Sequence, residues 1–222
     1  MIARLRRNLR ERGLRGTVTR LSRGLREGRV RSEVIVLLKE LDAIVEPRRQ
    51  GALRVEELTP RHLPGLYEVN RKRGEGEEAD RYFDACVAKG FHGFVAWNGE
   101  ELVGYYWWVD RDADPLHPDL WLLGEGFEME PGDVYGSSLF LLEEHRGGGA
   151  AADFLFRVET ALRDRGYRRL WGYVDSDNRS ARWIYSIRGY RSMWRVVHTR
   201  FVSFKSRQSI PLPDGEQDER GR

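Results

Sequence analysis

The chain has 222 residues, of which 40% are apolar and 33% charged, and its formal net charge at pH 7 is +3. This length allows one domain of about 150 residues with flanking segments, while seven Trp, nine Tyr and nine Phe exclude a disordered chain. One cysteine excludes an internal disulfide, and no apolar run reaches the ~18 residues needed to span a bilayer, so we expect a cytoplasmic protein.

The first 50 residues are predicted to form a basic, partly helical extension. Residues 1–31 contain eleven Arg and two Glu, whereas the remaining 191 residues carry a net charge of −6. Apolar residues recur among these arginines at near-helical spacing, although three glycines interrupt the pattern. Val34 to Leu38 is an apolar run, strand or helix, that we expect to dock on the main domain. Pro47 and Gly51 mark the boundary.

The main domain is predicted to cover residues 51–205. It begins with a strand at 53–58, a helix capped by Thr59 that continues to about residue 70, and a second helix at about 79–89. Cys86 lies in this second helix and is interpreted as a small buried apolar residue.

A hairpin and further strands are predicted next. An Asn-Gly pair at 98–99 separates two apolar and aromatic runs, which is a strong hairpin signal because both residues tolerate positive φ. The hairpin strands are expected at 93–97 and 101–110. Residues 121–129 are a further candidate strand, and residues 134–142 are predicted to be a strand.

The C-terminal third is predicted to alternate helix and strand. A helix follows residue 149 and ends at Gly166, a strand covers 170–174, and Asn178 or Ser180 caps a short helix through residue 188. A strand pair at 190–204 is expected to be followed by a disordered tail at 206–222. This order predicts a mixed α/β fold around a single sheet.

A glycine-rich turn lies between the predicted strand 134–142 and the helix that follows it. Glycines let backbone N–H groups approach an anion without interference from a Cβ atom, and a helix N-terminus adds about half a positive charge. The arrangement therefore suits a pyrophosphate. The turn lacks the Lys-Ser or Lys-Thr of a nucleoside-triphosphate loop and the glycine spacing of a dinucleotide site. The residues concerned are Arg146, Gly147, Gly148, Gly149, Ala150 and Ala151.

With this turn, the chain resembles the GNAT superfamily of acyltransferases. Arg146, Gly149 and Ala151 match the family signature of Arg or Gln, two residues, Gly, one residue, and Gly or Ala. A second pattern of the family follows, and its members here are Asn178, Ala181, Tyr185, Gly189 and Tyr190. The resemblance covers roughly residues 53–205 and implies a central mixed, mostly antiparallel sheet flanked by helices.

The resemblance also implies an activity and residue roles. The protein would be an N-acetyltransferase that uses acetyl-CoA as cosubstrate, with no metal. The backbone of residues 146–151 would bind the pyrophosphate of CoA, the main chain of Phe140 and Leu141 would bind pantetheine and polarise the acyl carbonyl, and Asn178 would contact pantetheine. Tyr185 would be the general acid that protonates the leaving thiolate; a half-buried core tyrosine is the alternative interpretation.

The general base and the acceptor are left more open by the sequence. Glu128 and Glu130, just before the strand at 134–142, are the candidates to take a proton from the amine, with Glu125 and His145 as weaker ones. Each could instead be a solvated surface group. The acceptor is expected to be a small-molecule or peptide amine, and assembly as a homodimer stays open.

Three other functions compete with acetyl transfer. The chain could be an acyl-CoA-binding or adaptor module without catalysis, although the intact motif residues argue against a decayed site. It could transfer a longer acyl group. Residues 1–31 could contact nucleic acid or another anionic surface, or simply pack as a solvated helix on the acidic remainder of the chain.

Overall fold

A computed structural model describes residues 29–46, 51–111, 127–201 and 204–212. Most of the basic segment 1–31 and of the candidate strand 121–129 therefore lies outside the described residues. The described part of that candidate strand, residues 127–129, has no regular secondary structure. None of the described helices is long and apolar enough to cross a membrane.

One sheet of eight strands organises the described part of the chain. The strands are β1 (Arg29–Glu40), β2 (Arg54–Glu57), β3 (His92–Asn98), β4 (Glu101–Asp110), β5 (Asp133–Leu141), β6 (Arg169–Asp175), β7 (Arg191–Phe201) and β8 (Phe204–Pro211). Their order across the sheet is β2-β3-β4-β5-β6-β1-β7-β8. Only β5 and β6 pair in parallel, and every other neighbouring pair is antiparallel. The predicted mixed, mostly antiparallel sheet is confirmed.

Four α-helices in the described residues flank this sheet. They are α1 (Leu63–Lys72), α2 (Glu77–Ala88), α3 (Ala150–Asp164) and α4 (Arg179–Ile187), and a short 3₁₀ turn at Pro60–His62 precedes α1. Phe83 of α2 packs on Trp107 of β4, with ring centroids 5.7 Å apart. Arg165, directly after α3, lies over Phe94 of β3. Because Phe94 pairs with Tyr106, which points away from Trp107, the two helical layers cover opposite faces.

The apolar stripe predicted on the helix after residue 149 is confirmed in α3. Phe154, Leu155, Val158 and Leu162 are fully buried. Their burial follows from the helical spacing of the apolar positions, which places them on one face. Cys86 is also buried, as expected.

The sheet extends beyond the predicted domain bounds of 51–205 at both ends. β1 comes from the segment assigned to the extension, and it lies between β6 and β7 rather than on the domain surface. Its run Val34 to Leu38 is buried throughout, as is typical of a strand covered on both faces.

At the other end, β8 replaces the first part of the tail predicted to be disordered from residue 206. It pairs with β7 along its whole length. Its residues 208–210 are exposed, because β8 is an edge strand that lies outside the core. Polar side chains there cost little, and backbone pairing with β7 supplies order that the sequence pattern did not indicate.

Candidate active site

The glycine-rich turn connects β5 to α3 as predicted. Gly148 has φ 62° and Gly149 has φ 86°, both in the left-handed region, and a Cβ atom at either position would meet nothing within 4 Å. The turn therefore needs glycine for its backbone path rather than for lack of space. Gly149 is the N-cap residue of α3 and offers no side chain to the first N–H groups of the helix, and the N–H of Ala150 donates to the carbonyl oxygen of Gly147. The first N–H groups of an α-helix have no partner within the helix, and such groups suit an anion.

Arg146 is anchored to the end of β5 by its own side chain. Its Nε donates to the carbonyl oxygen of Leu141 at 2.8 Å, and its guanidinium lies 5.3 Å from the ring centroid of Phe140. Arg73, which follows α1, also stacks on the Phe140 ring at 4.0 Å. The structure therefore brings the predicted residues Phe140, Leu141 and Arg146 together, and Arg146 fixes the start of the turn.

The two parallel strands part near the middle of β5. β5 pairs with β6 only at residues 133–135, whereas β6 continues to pair with β1 as far as Asp175. On the other side of β5, the pairing with β4 shifts around Ser138, which has φ 55°. This bulge bends β5 away from β6. The result is an open edge along residues 136–141 of β5, which we call the β5 gap.

Tyr106 lies against the start of the β5 gap. A Cβ atom at Gly136 would sit 1.7 Å from the Tyr106 hydroxyl oxygen, so only glycine permits this contact. Gly136 and its close contact with Tyr106 were missed by the sequence interpretation. An isolated glycine in a strand of large residues is the signal that indicates such a close approach.

Helix α4 carries two further candidate site residues, Asn178 at its start and Tyr185 near its end. The side chain of Asn178 caps the helix by accepting from the N–H of Ala181 at 3.2 Å. Tyr185 is half-buried and packs edge-on against Tyr190, with centroids 4.9 Å apart. Tyr185 also interacts electrostatically with Tyr106, which places it near the β5 gap. Burial raises the pKa of Tyr185 to about 12, and the carboxylate of Glu159 adds to the rise.

We expect Asn178→Ala to lower the free energy of unfolding by about 1 kcal/mol, because it removes the side-chain cap of α4. The loss would appear as a fall in the urea midpoint at an unchanged m-value. Ser180→Ala is the matched control, because it removes a hydroxyl from the same turn without removing the cap. Equal midpoints for the two variants would contradict the capping role.

A buried polar cluster, which the sequence interpretation also missed, lies beneath Tyr185. Its members are Glu159, Arg188, Lys39 and Tyr190, all at most 5% exposed. Glu159 follows Leu155 by four residues and precedes Leu162 by three, so the helical period already places it on the buried face. A carboxylate on that face requires a buried partner, and Arg188 supplies it.

The two candidate bases lie at the other end of β5 from the glycine turn. Glu130 comes three residues before the strand begins, and its carboxylate accepts from Arg169 at 2.6 Å. Glu128 is exposed. The structure therefore brings Arg146, Phe140, Leu141 and the turn together at one end and leaves Glu128 and Glu130 on the surface at the other.

The chain is similar to known proteins in sequence and in structure. A sequence profile described as the acetyltransferase (GNAT) family matches residues 58–190. This range contains the β5 gap, the glycine turn and α4. The chain has no significant match among curated proteins.

Three solved structures resemble the chain in fold. A GCN5-related N-acetyltransferase from Sphaerobacter thermophilus is 18% identical, with a TM-score of 0.56, and the match covers 89% of this chain and 58% of that one. A functionally unknown conserved protein from Staphylococcus epidermidis is 14% identical, with a TM-score of 0.56 and coverage of 81% and 65%. A GCN5-related glucosamine N-acetyltransferase region of a fungal multi-domain β-N-acetylglucosaminidase is 14% identical, with a TM-score of 0.58 and coverage of 87% and 23%. The chain spans less than two thirds of each of these chains.

Proposed function

The chain belongs to the acetyltransferase (GNAT) family, and on that premise we propose that it transfers an acetyl group from acetyl-CoA to an amine by direct attack, with Tyr185 as general acid. The observation that carries this proposal is the parting of β5 from β6 between the glycine turn and Tyr185. A strand edge that is open over residues 136–141 offers backbone groups to an extended ligand. The turn at its end offers N–H groups to a pyrophosphate.

The residues present fit an acyl-CoA thioester. The N–H groups at the start of α3, to which Gly149 offers no side-chain cap, would hold the pyrophosphate, and Arg146 would keep the turn in place through Leu141. The main chain of Phe140 and Leu141 would bind pantetheine and polarise the acyl carbonyl. Asn178 would contact pantetheine in addition to capping α4.

Acetyl-CoA supplies a thioester whose carbonyl carbon is attacked by the free amine, so that a C–N bond forms and the C–S bond breaks. Tyr185 would donate its hydroxyl proton to the departing sulfur. Its pKa of about 12 keeps the hydroxyl protonated near neutral pH, as this role requires. The raised pKa also means that the tyrosinate formed is a strong base, which recovers a proton from water quickly.

The amine must lose a proton, and we propose Glu128 or Glu130 as the group that takes it, directly or through water. We expect the glutamine variant of the true base to lose turnover near neutral pH. Activity should return as the pH approaches the acceptor's own pKa, about 10 for an alkylamine, because the amine then reacts in its free form.

The pair of variants Glu128→Gln and Glu130→Gln tests this assignment, with turnover measured across the pH range. Arg169→Met serves as a control for Glu130, because it breaks the same ion pair but leaves the carboxylate in place. Equal pH profiles for both glutamine variants and the unaltered protein would remove both residues as bases.

A screen of amines with acetyl-CoA, read by mass spectrometry of the acylated product, tests the proposed function as a whole. A product heavier by one acetyl group is the expected result. Binding of acetyl-CoA in calorimetry without any product would instead support the acyl-CoA-binding or adaptor function. Faster release of free thiol from longer acyl-CoA donors would support transfer of a longer acyl group, and no binding at millimolar donor would overturn the proposal.

A further inference from the structure

A buried ion pair joins the two helices of the candidate active site. Glu159 of α3 is 0% exposed and Arg188 is 2% exposed, and the guanidinium of Arg188 donates to the Glu159 carboxylate. A second nitrogen of Arg188 donates to the carbonyl oxygen of Val45. The pair thus connects α3, the end of α4 and the segment that follows β1.

Burying two charged groups is costly, because both must be removed from water. Two helices could pack on each other without such a pair. Desolvation of an ion pair is repaid only when the geometry is good and further groups satisfy it. Here Lys39 of β1 and Tyr190 also face Glu159 and act on its charge. Lys39 in turn donates to the carbonyl oxygen of Ala43 at 2.7 Å. The arrangement fixes several segments at one point.

This point lies close to the proposed acid. Arg188 follows Tyr185 by three residues and caps the C-terminus of α4, so the two side chains leave neighbouring turns of one helix. At the other side of the pair, α3 begins at the glycine turn. Resting on the proposed function, we propose that Glu159 and Arg188 are positioning residues, which hold α4 on α3 so that the Tyr185 hydroxyl stays at the β5 gap.

The same pair acts on the protonation of Tyr185. Burial and the Glu159 carboxylate both raise the pKa of Tyr185. The titratable and charged groups that surround this point are Lys39 from β1, Tyr106 from β4, Glu159 from α3, and Arg188 and Tyr190 at the end of α4, and the exposed Asp42 acts on Lys39. Loss of the Glu159 carboxylate, which acts on Tyr185, leaves the cations of Lys39 and Arg188, which favour tyrosinate, so the Tyr185 pKa is expected to fall.

The test is Glu159→Gln, which keeps the shape of the side chain and removes its charge. We expect the Tyr185 pKa, measured from the ring carbon signals of ¹³C-labelled tyrosine, to fall below its value in the unaltered protein. We expect kcat to fall roughly tenfold through loss of alignment, with a smaller change in KM for acetyl-CoA. Asp164→Asn is the matched control, because it removes an exposed carboxylate from the same helix and should change neither quantity.

A double variant keeps the test valid if Glu159→Gln alone does not fold. Replacing both Glu159 and Arg188 with methionine removes both charges of the pair, while Lys39 keeps its hydrogen bond to the carbonyl oxygen of Ala43. Such replacements of a buried pair are often tolerated. The Tyr185 pKa should fall in this variant as well. An unchanged Tyr185 pKa and kcat in a folded variant would overturn the positioning role.

The Tyr185 pKa is read without any turnover, so failure of the two proposals can be distinguished. If Glu159→Gln lowers the Tyr185 pKa but Tyr185→Phe does not lower kcat, the pair positions a tyrosine that is not the acid. If Tyr185→Phe abolishes turnover while Glu159→Gln changes neither the Tyr185 pKa nor kcat, Tyr185 is the general acid and the positioning role of Glu159 and Arg188 is wrong.

Discussion

Replacing Tyr185 with phenylalanine is expected to lower kcat by about 10²- to 10⁴-fold, the range in which a positioned general acid contributes. The variant keeps the aromatic ring that packs on Tyr190 and loses only the hydroxyl. Without that proton, the leaving sulfur must depart as a thiolate or take a proton from water. The affinity for acetyl-CoA should change little, because the hydroxyl acts on a bond that breaks only during the reaction.

Two measurements test this effect. The turnover rate kcat reports the reaction, and calorimetry with acetyl-CoA reports binding of the donor. Tyr82→Phe in α2 is the matched control, because Tyr82 is an exposed tyrosine outside α4 and loses the same group. An unchanged kcat in Tyr185→Phe would show that Tyr185 is a core residue, as the alternative interpretation of the sequence holds.

The pKa of Tyr185 also predicts the shape of the pH profile in the unaltered protein. With that pKa at about 12, the acid is protonated up to roughly one unit below this value. Turnover should therefore show no fall on the alkaline side that is due to Tyr185 until the pH approaches that value.

Replacing Gly149 with valine is expected to raise KM for acetyl-CoA about 10- to 100-fold. Gly149 has φ 86°, and a β-branched residue is a true outlier there, at a cost of about 1–3 kcal/mol. The chain can avoid that cost by changing the path of the turn. Such a change redirects the N–H groups at the start of α3, and a cost of 1.4 kcal/mol corresponds to tenfold in affinity.

Gly166→Val separates the loss of binding from a loss of stability. Gly166 follows the other end of α3 with φ 89°, and a Cβ atom there also meets nothing within 4 Å. Both variants should lower the thermal midpoint by a similar amount, but only Gly149→Val should weaken binding in calorimetry. Equal KM values for the two variants would mean that the turn does not hold the donor.

Local patterns predicted most of the elements around the site. The Asn-Gly hairpin, the apolar stripe of α3 and the cap at Asn178 each depend on neighbours within a few residues. The glycine turn and the motif of α4 are similarly local, and their order along the chain was enough to indicate the family. These features could be predicted because propensity and spacing act at short range.

The features that the sequence did not reveal depend on contacts between distant segments. No local pattern predicts that β1 inserts between β6 and β7, or that β5 bends away from β6 at Ser138. The partnership of Glu159 and Arg188 joins residues 29 positions apart. The side chain of Arg146 points toward Leu141 rather than outward, because its guanidinium stacks on the Phe140 ring.

The position of β1 has a consequence for how the protein is made. Both neighbours of β1 come later in the chain, and Glu40 and Arg191, which form an ion pair there, are 151 residues apart. During synthesis, the apolar residues Val34 to Leu38 of β1 therefore leave the ribosome long before β6 and then β7 can pair with them. An unpaired apolar strand can form non-native contacts. The first described strand is therefore covered only after the C-terminal strands have been synthesised.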